Sequence, residues 1–351
     1  MHTKPERSSP GEGNGQPCEN PPPLPPPGFD PVHNESDAAQ LEDYWLPSRP
    51  DPRREPGLYA HWKEMFCPVP NFVEPDSCPF QHRRHPFAVG TVGPGFEPRP
   101  IARHSRFETS RNWSGAYIVP SRGGRFKRIV GRWTVPDVQT GTGSNPGNLP
   151  YCQCSIWVGL DGKKRWTPSM PQIGTAHSID APGYSAALPV SANALWWQWW
   201  SRHGYSAAWE IRGVPICPGD VVLCSLTLVS PLVARFHVVN RTSGRFATQA
   251  VCSKKPADGS SAEWIVEKPA AFPQDPDWRA ADPLRPMPAY GELLLESCIA
   301  EHDTNHTMSL RNPRLIRMVE TVENPNRAQI ISAPRALNEP PGTLQMAYHE
   351  P

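Results

Sequence analysis

The stretch of this chain best suited to chemistry is Ser261-Ala262-Glu263-Trp264-Ile265-Val266-Glu267. β-Branched and aromatic residues fill it, Asp258-Gly259-Ser260 precedes it and Lys268-Pro269 closes it, which is the composition of a strand. Strand side chains alternate between faces. Trp264 and Val266 therefore turn toward a core, while Glu263, Ile265 and Glu267 face the other way. Two carboxylates on one face, with Trp and Val packed on the other, suggest a polar groove backed by a hydrophobic core, where a carboxylate can take a proton from water as general base and return it as general acid. They can equally stand solvated on an ordinary surface.

The same periodicity extends the polar face. Trp157, Gly159 and Asp161 share one side of their strand. Trp196, Gln198 and Trp200 share one side of theirs, opposite Trp197 and Trp199. A strand with tryptophans on both sides packs one side in the core. The other side either joins a large core or lines a groove for an extended polymer, with Gln198 as its polar contact.

Whatever positions these residues is predominantly β. The chain has 351 residues, 13 Trp and 46 Pro, and Pro breaks helices while aromatics favour strands. Lys+Arg number 35 and Asp+Glu 34, so a net charge of +1 gives no bulk pull toward nucleic acid or a membrane surface. No apolar run is long enough to span a bilayer. The start, Met1-His2-Thr3-Lys4-Pro5-Glu6, lacks the apolar centre of a secretory signal. Nine cysteines, without C-x-x-C spacing, leave disulfide pairing open, and Cys152 and Cys154 share a strand face. The twelve histidines are scattered and read as surface residues.

Residues 1–105 form a Pro-rich extension expected to be mostly disordered, with Pro21-Pro22-Pro23-Leu24-Pro25-Pro26-Pro27 favouring polyproline II. A patch around Tyr44-Trp45 and Tyr59-Ala60-His61-Trp62 could fold locally or dock on the main domain. From His82 to Arg106 the extension is basic. From 106 to 350 short apolar runs alternate with Gly, Pro, Asn and Asp turns. About a dozen strands and no amphipathic helix longer than about ten residues describe an all-β jelly-roll sandwich of two antiparallel sheets.

Five motifs in order, Asn112-Trp113-Ser114-Gly115, Trp133-Thr134-Val135-Pro136, Trp157-Val158-Gly159-Leu160-Asp161-Gly162, Pro171-Gln172-Ile173-Gly174 and Ala262-Glu263-Trp264-Ile265-Val266-Glu267, resemble those of the glutamic peptidases, the eqolisins or peptidase family G1. The resemblance runs from about residue 110 to 348 and omits the first hundred. It implies a concanavalin A-like sandwich, a secreted endopeptidase acting on polypeptide substrates, and no cofactor or metal. It places a catalytic glutamine at Gln172 and a catalytic glutamate at Glu267, and lines the cleft with Trp113, Trp157 and Asp161. Trp196, Gln198 and Glu263 complete the expected substrate-binding set. Where the family carries a carboxylate at the centre of the aromatic strand, this chain has Gln198. A monomer without nucleic-acid or membrane partners is expected. The charge of segment 82–106, with Arg83, Arg84, Arg99, Arg103 and Arg106 against only Glu97, suggests an autoinhibitory propeptide over an acidic groove, in keeping with the precursor that the resemblance implies; the alternative is a solvated basic linker.

Two other functions fit a tryptophan-lined sandwich. A lectin-like module would bind without turnover. A glycoside hydrolase would use Glu263 and Glu267, which sit about 13 Å apart at Cα in a strand and would have to lean together to reach the roughly 5–5.5 Å of a retaining pair.

Overall fold

The structure, a computed structural model, describes residues 15–80, 107–121, 123–140, 151–163, 167–180, 191–202, 206–269, 284–304, 306–310, 312–321, 328–338, 340 and 342–349. Through the extension run β1 (Gln16–Pro17), α1 (Glu35–Ala39), α2 (Pro56–Phe66), β2 (Asn71–Phe72) and β3 (Ser77–Pro79). The remainder consists of β4 (Phe107–Ser110), β5 (Trp113–Ile118), β6 (Phe126–Thr134), β7 (Tyr151–Leu160), β8 (Ser169–Asp180), β9 (Ser191–Ser201), β10 (Ala208–Ile211), β11 (Val221–Ser230), β12 (Val233–Asn240), β13 (Arg245–Cys252), β14 (Ala262–Glu267), β15 (Glu292–His302), β16 (Thr307–Ser309), β17 (Arg314–Thr321), β18 (Ala328–Leu337) and β19 (Thr343–Tyr348).

Pairing sorts these strands into two layers. The front layer runs β4–β17–β5–β14–β7–β8–β9–β10–β3. The back layer runs β18–β19–β15–β6–β11–β12–β13, with β16 on β15 and both β1 and β2 on β13. A β17–β18 ladder joins the layers at one side. Alternate side chains of both layers meet between them, among them Trp133, Ile156, Val158, Trp197, Trp199, Leu226, Phe236, Trp264 and Val266. Gly131 lets the layers approach, because a Cβ there would stand 2.8 Å from Val158 Cγ1. The expected all-β sandwich is the observed fold.

Pro168 and Pro171 closely precede Gln172, yet Gln172 lies inside the twelve-residue strand β8. Pro171 pairs with Trp199 on β9, just beyond the last β7 pair, Gly159–Gln172, so its missing N–H costs the β7 ladder nothing. The histidines are not all at the surface: His61, His177, His237 and His302 are buried.

Residues 15–80 also differ from the expected disordered extension. α2, of 11 residues, starts with Pro56 at its first turn and turns Leu58, Trp62, Met65 and Phe66 to one side, an i, i+4, i+7, i+8 stripe. Trp62, Met65 and Phe66 pack on Leu223, Val239 and Phe246 of the back layer, with Phe66 and Phe246 stacked 5.3 Å apart. Pro21, Pro22, Pro23 and Pro25 line a small cavity with Tyr44, Leu46, Phe72 and Phe246. A Cys18–Cys252 disulfide links the extension to β13. The aromatic patch thus docks on the sandwich. The basic segment 82–106 lies outside the described residues.

Candidate active site

Strand register collects polar residues into one row across the front layer. Tyr117 pairs with Glu263, Glu263 with Gly159, Gly159 with Gln172, and Gln172 with Gln198. Directly paired residues share a face. This is the face turned away from the back layer, since Ile173, Trp197 and Trp264 point into the core. The next row carries Gly115, Ile265, Trp157, Gly174 and Trp196, and the row after it Trp113, Glu267, Ser155 and Ala176. Trp113, Trp157 and Trp196 belong to one buried cluster on this face, with Trp200 packed against it. Glycine clears space for the central indole: the Trp157 ring overlies Gly159, with Cζ3 3.0 Å from where a Cβ would stand.

Glu267 sits among these rings. Trp157 Nε1 donates to its Oε2 at 2.8 Å, and the Trp113 and Trp157 rings meet edge to face with centroids 5.0 Å apart. Burial pushes the carboxyl up to about 8, while the polar groups of Trp113, Trp157 and Asn112 pull it back. Its Oε1 makes no hydrogen bond of ordinary geometry among the described residues. A side chain in this setting can hold a proton near neutrality and release it when the site gains water.

Gln172 Nε2 donates to Gln198 Oε1 at 2.9 Å, and Gln198 Nε2 donates to the Ser206 carbonyl at 3.0 Å. That chain sets which end of each amide is which. Gln172 and Glu267 do not touch. Two strand spacings and four residues separate them, about 16 Å at Cα on flat-sheet spacings. The Trp157 indole fills the interval, its Nε1 on Glu267 and its far edge over Gly159 beside Gln172.

Glu263 stands in the row of Gln172, two strand spacings or about 10 Å away at Cα. Its Oε1 accepts the Lys163 backbone N–H at 3.2 Å. Burial raises this carboxyl to about 8 as well, with the nearby Asp161 charge adding to the rise. Beside it, Tyr117 Oη donates to Glu108 Oε1 at 2.6 Å and Lys163 Nζ pairs with the same carboxylate. Nothing in the sequence pointed to Glu108 or Lys163, which folding brings together from positions 55 apart in the chain. Trp113, Trp157, Gln172, Glu263 and Glu267 are each at most 1 % exposed, so the site is closed to solvent in this structure.

Asp161 is placed differently from the cleft-lining role expected of it. Its backbone is left-handed, with φ at 76°, which ends the strand alternation after Leu160. Its carboxylate accepts the backbone N–H groups of Asp258, Gly259 and Ser260 at 2.5, 2.8 and 2.6 Å. It staples the turn that delivers β14. Among the described residues no group of three or more His, Cys, Asp or Glu is placed to hold a metal ion.

The two-layer β-sandwich matches the fold of the glutamic peptidases. Scytalido-glutamic peptidase, solved with a peptide-based transition state analog, superposes with a TM-score of 0.51 at 18 % identity, over 68 % of this chain and 98 % of that one. Its complex with a transition state analog inhibitor gives 0.50 at the same identity and coverage. Residues 111–333 match the Peptidase A4 family, and the chain belongs to that family. Aspergillopepsin-2 of Aspergillus niger is 25 % identical over 176 residues, which are 46 % of this chain and 56 % of that protein. The chain therefore spans little more than half the length of that curated relative.

Proposed function

We propose that this protein is an endopeptidase that hydrolyses peptide bonds with Glu263 and Gln172. Glu263, ionised, takes a proton from water as the water oxygen bonds to the scissile carbonyl carbon. The carbonyl π electrons move to oxygen, and the Gln172 side-chain amide donates to that oxyanion. Glu263 then gives its proton to the amide nitrogen as the C–N bond breaks, leaving a carboxylic acid and an amine and restoring the carboxylate. The observation that carries the reading is register: Glu263 and Gln172 stand in one row, about 10 Å apart at Cα, with only Gly159 between them, so both side chains can meet one scissile carbonyl. Glu267, to which the family resemblance pointed, lies about 16 Å from Gln172 with the Trp157 indole between and does not reach that carbonyl. Burial raises Glu263 to about 8, and since burial is the first cause of the rise, entry of water and substrate lowers it and supplies the base form.

Glu267 is the rival carboxylate through its place in the family's motif. Its hydrogen bond from Trp157 Nε1 favours a role in holding that indole against the site. Parallel assays of Glu263→Gln, Glu267→Gln and Gln172→Ala on a denatured protein separate the two. Glu263→Gln is expected to abolish cleavage with the fold intact. Gln172→Ala should lower kcat on the order of 10²–10³, the worth of one oxyanion donor. Full activity in Glu263→Gln together with an inactive Glu267→Gln would transfer the role to Glu267.

A further inference from the structure

We infer that the N-terminal extension is a standing wall of the substrate groove and that Phe80 is a specificity-determining residue in it. This rests on the peptidase reading of the front face. Ser77, Cys78 and Pro79 pair with Ile211, Glu210 and Trp209. The antiparallel register sets Phe80 opposite Ala208, and the Phe80 N–H donates to the Ala208 carbonyl at 3.0 Å. Ala208 pairs with Gln198 and Gln198 with Gln172. Phe80 therefore ends the same row that carries Glu263 and Gln172, about 10 Å at Cα from Gln198 and about 14 Å from Gln172.

Alternation in β3 fixes which way the ring points. Ser77 Oγ donates to Gln249 Oε1 at 2.8 Å and accepts from the core residue Trp197 at 3.3 Å, so Ser77 and Pro79 face inward. Cys78 and Phe80 face the site. Phe80 is 5 % exposed and belongs to the cluster of Trp113, Trp157 and Trp196. Its neighbour Ala208 contributes only a methyl, so the Phe80 ring is the next large side chain along the row beyond Gln198.

The anchoring makes this a fixed wall. β3 lies on the edge of the front layer, α2 packs on the back layer, and the Cys18–Cys252 disulfide ties the start of the extension to β13. Cutting the chain after Phe80 would leave residues 16–80 in place. A substrate residue seated beside Gln198 meets the Phe80 ring, which favours small and mid-sized apolar side chains there and rejects the largest.

The test is a binding comparison in the full-length Glu263→Gln background, which reads whether or not the wild type is active. Tryptophan fluorescence titrations follow end-blocked hexapeptides in which Ala, Leu or Trp occupies each position in turn. Phe80→Ala should gain on the order of tenfold in affinity for Trp over Ala at one position only, the scale of a pocket resized by a few carbons. Phe80→Leu, which keeps an apolar contact and guards against misfolding of the Ala variant, should fall between. An unchanged order, a uniform change at every position, or no binding to any peptide overturns the proposal. Loss of hydrolysis by the wild type alongside a positional shift in binding would instead remove only the peptidase reading.

Discussion

Glu267 is pulled two ways, upward by burial and downward by its indole donor. Trp157→Phe keeps an aromatic ring and removes the donor to the charged form. The Glu267 carboxyl should then titrate at higher pH, read by carbon-13 NMR of labelled glutamate. A titration identical to that of the wild type would show that the indole does not govern this proton. Gln198 explains a substitution that the family resemblance left open. An amide accepts from Gln172 and donates to the Ser206 carbonyl at once, at any pH. A carboxyl at that position can do both only when protonated. Gln198→Glu should therefore shift the pH optimum downward, and an optimum unmoved or moved upward would contradict the network.

At the scale of elements, β14 owes its placement to the turn before it. Asp161 accepts three backbone N–H groups from residues 258–260, and its left-handed backbone directs the carboxylate there. Asp161→Ala leaves buried donors without an acceptor. At about 1–3 kcal/mol for each unsatisfied group, a loss of about 3 kcal/mol or more is expected in urea unfolding. Activity should fall with it, since Glu263 and Glu267 ride on the displaced strand. Asp161→Asn keeps one acceptor oxygen and should lose less. β8 is equally dependent on context: Pro171 is tolerated because it pairs only on its β9 side, where the β7 ladder has ended.

For the whole molecule, buried titrating groups bracket a pH window. Burial holds His61 and His237 down to about 3 and His177 to about 4. Their contribution to stability is complete above the ordinary histidine value of 6.5 and is lost as pH falls toward those values. Glu263 and Glu267, raised to about 8, act in the opposite sense: their contribution is complete below 4.5 and is lost as pH rises through about 8. The melting temperature should peak between 4.5 and 6.5 and decline on both sides. A melting temperature that climbs steadily to pH 8 would mean that water reaches the two glutamates in solution. His61 lies on α2 and His237 contacts the Trp45 carbonyl at 2.9 Å, so the acid side should loosen the extension's dock on the back layer. Hydrogen exchange of α2 measures that directly.

Composition and periodicity alone determined that the chain is β-rich and which residues of β14 face the core, because a period of two is a local property of the backbone. The hairpin of β12 and β13 was legible too, in Asn240-Arg241-Thr242-Ser243-Gly244, where Gly244 takes φ 71°. The ordered motifs reached Glu267 and Gln172 through resemblance. Register was beyond the sequence, since it depends on which distant strands pair. Only pairing set Glu263 in the row of Gln172 and laid Trp157 between Gln172 and Glu267. α2 carried a readable apolar stripe, hidden among prolines, whose burial requires the back layer to be present. Asp161 shows the limit most plainly. Alternation aimed it at the groove, and one left-handed residue, stabilised by three donors about a hundred positions away, turned it to the opposite task.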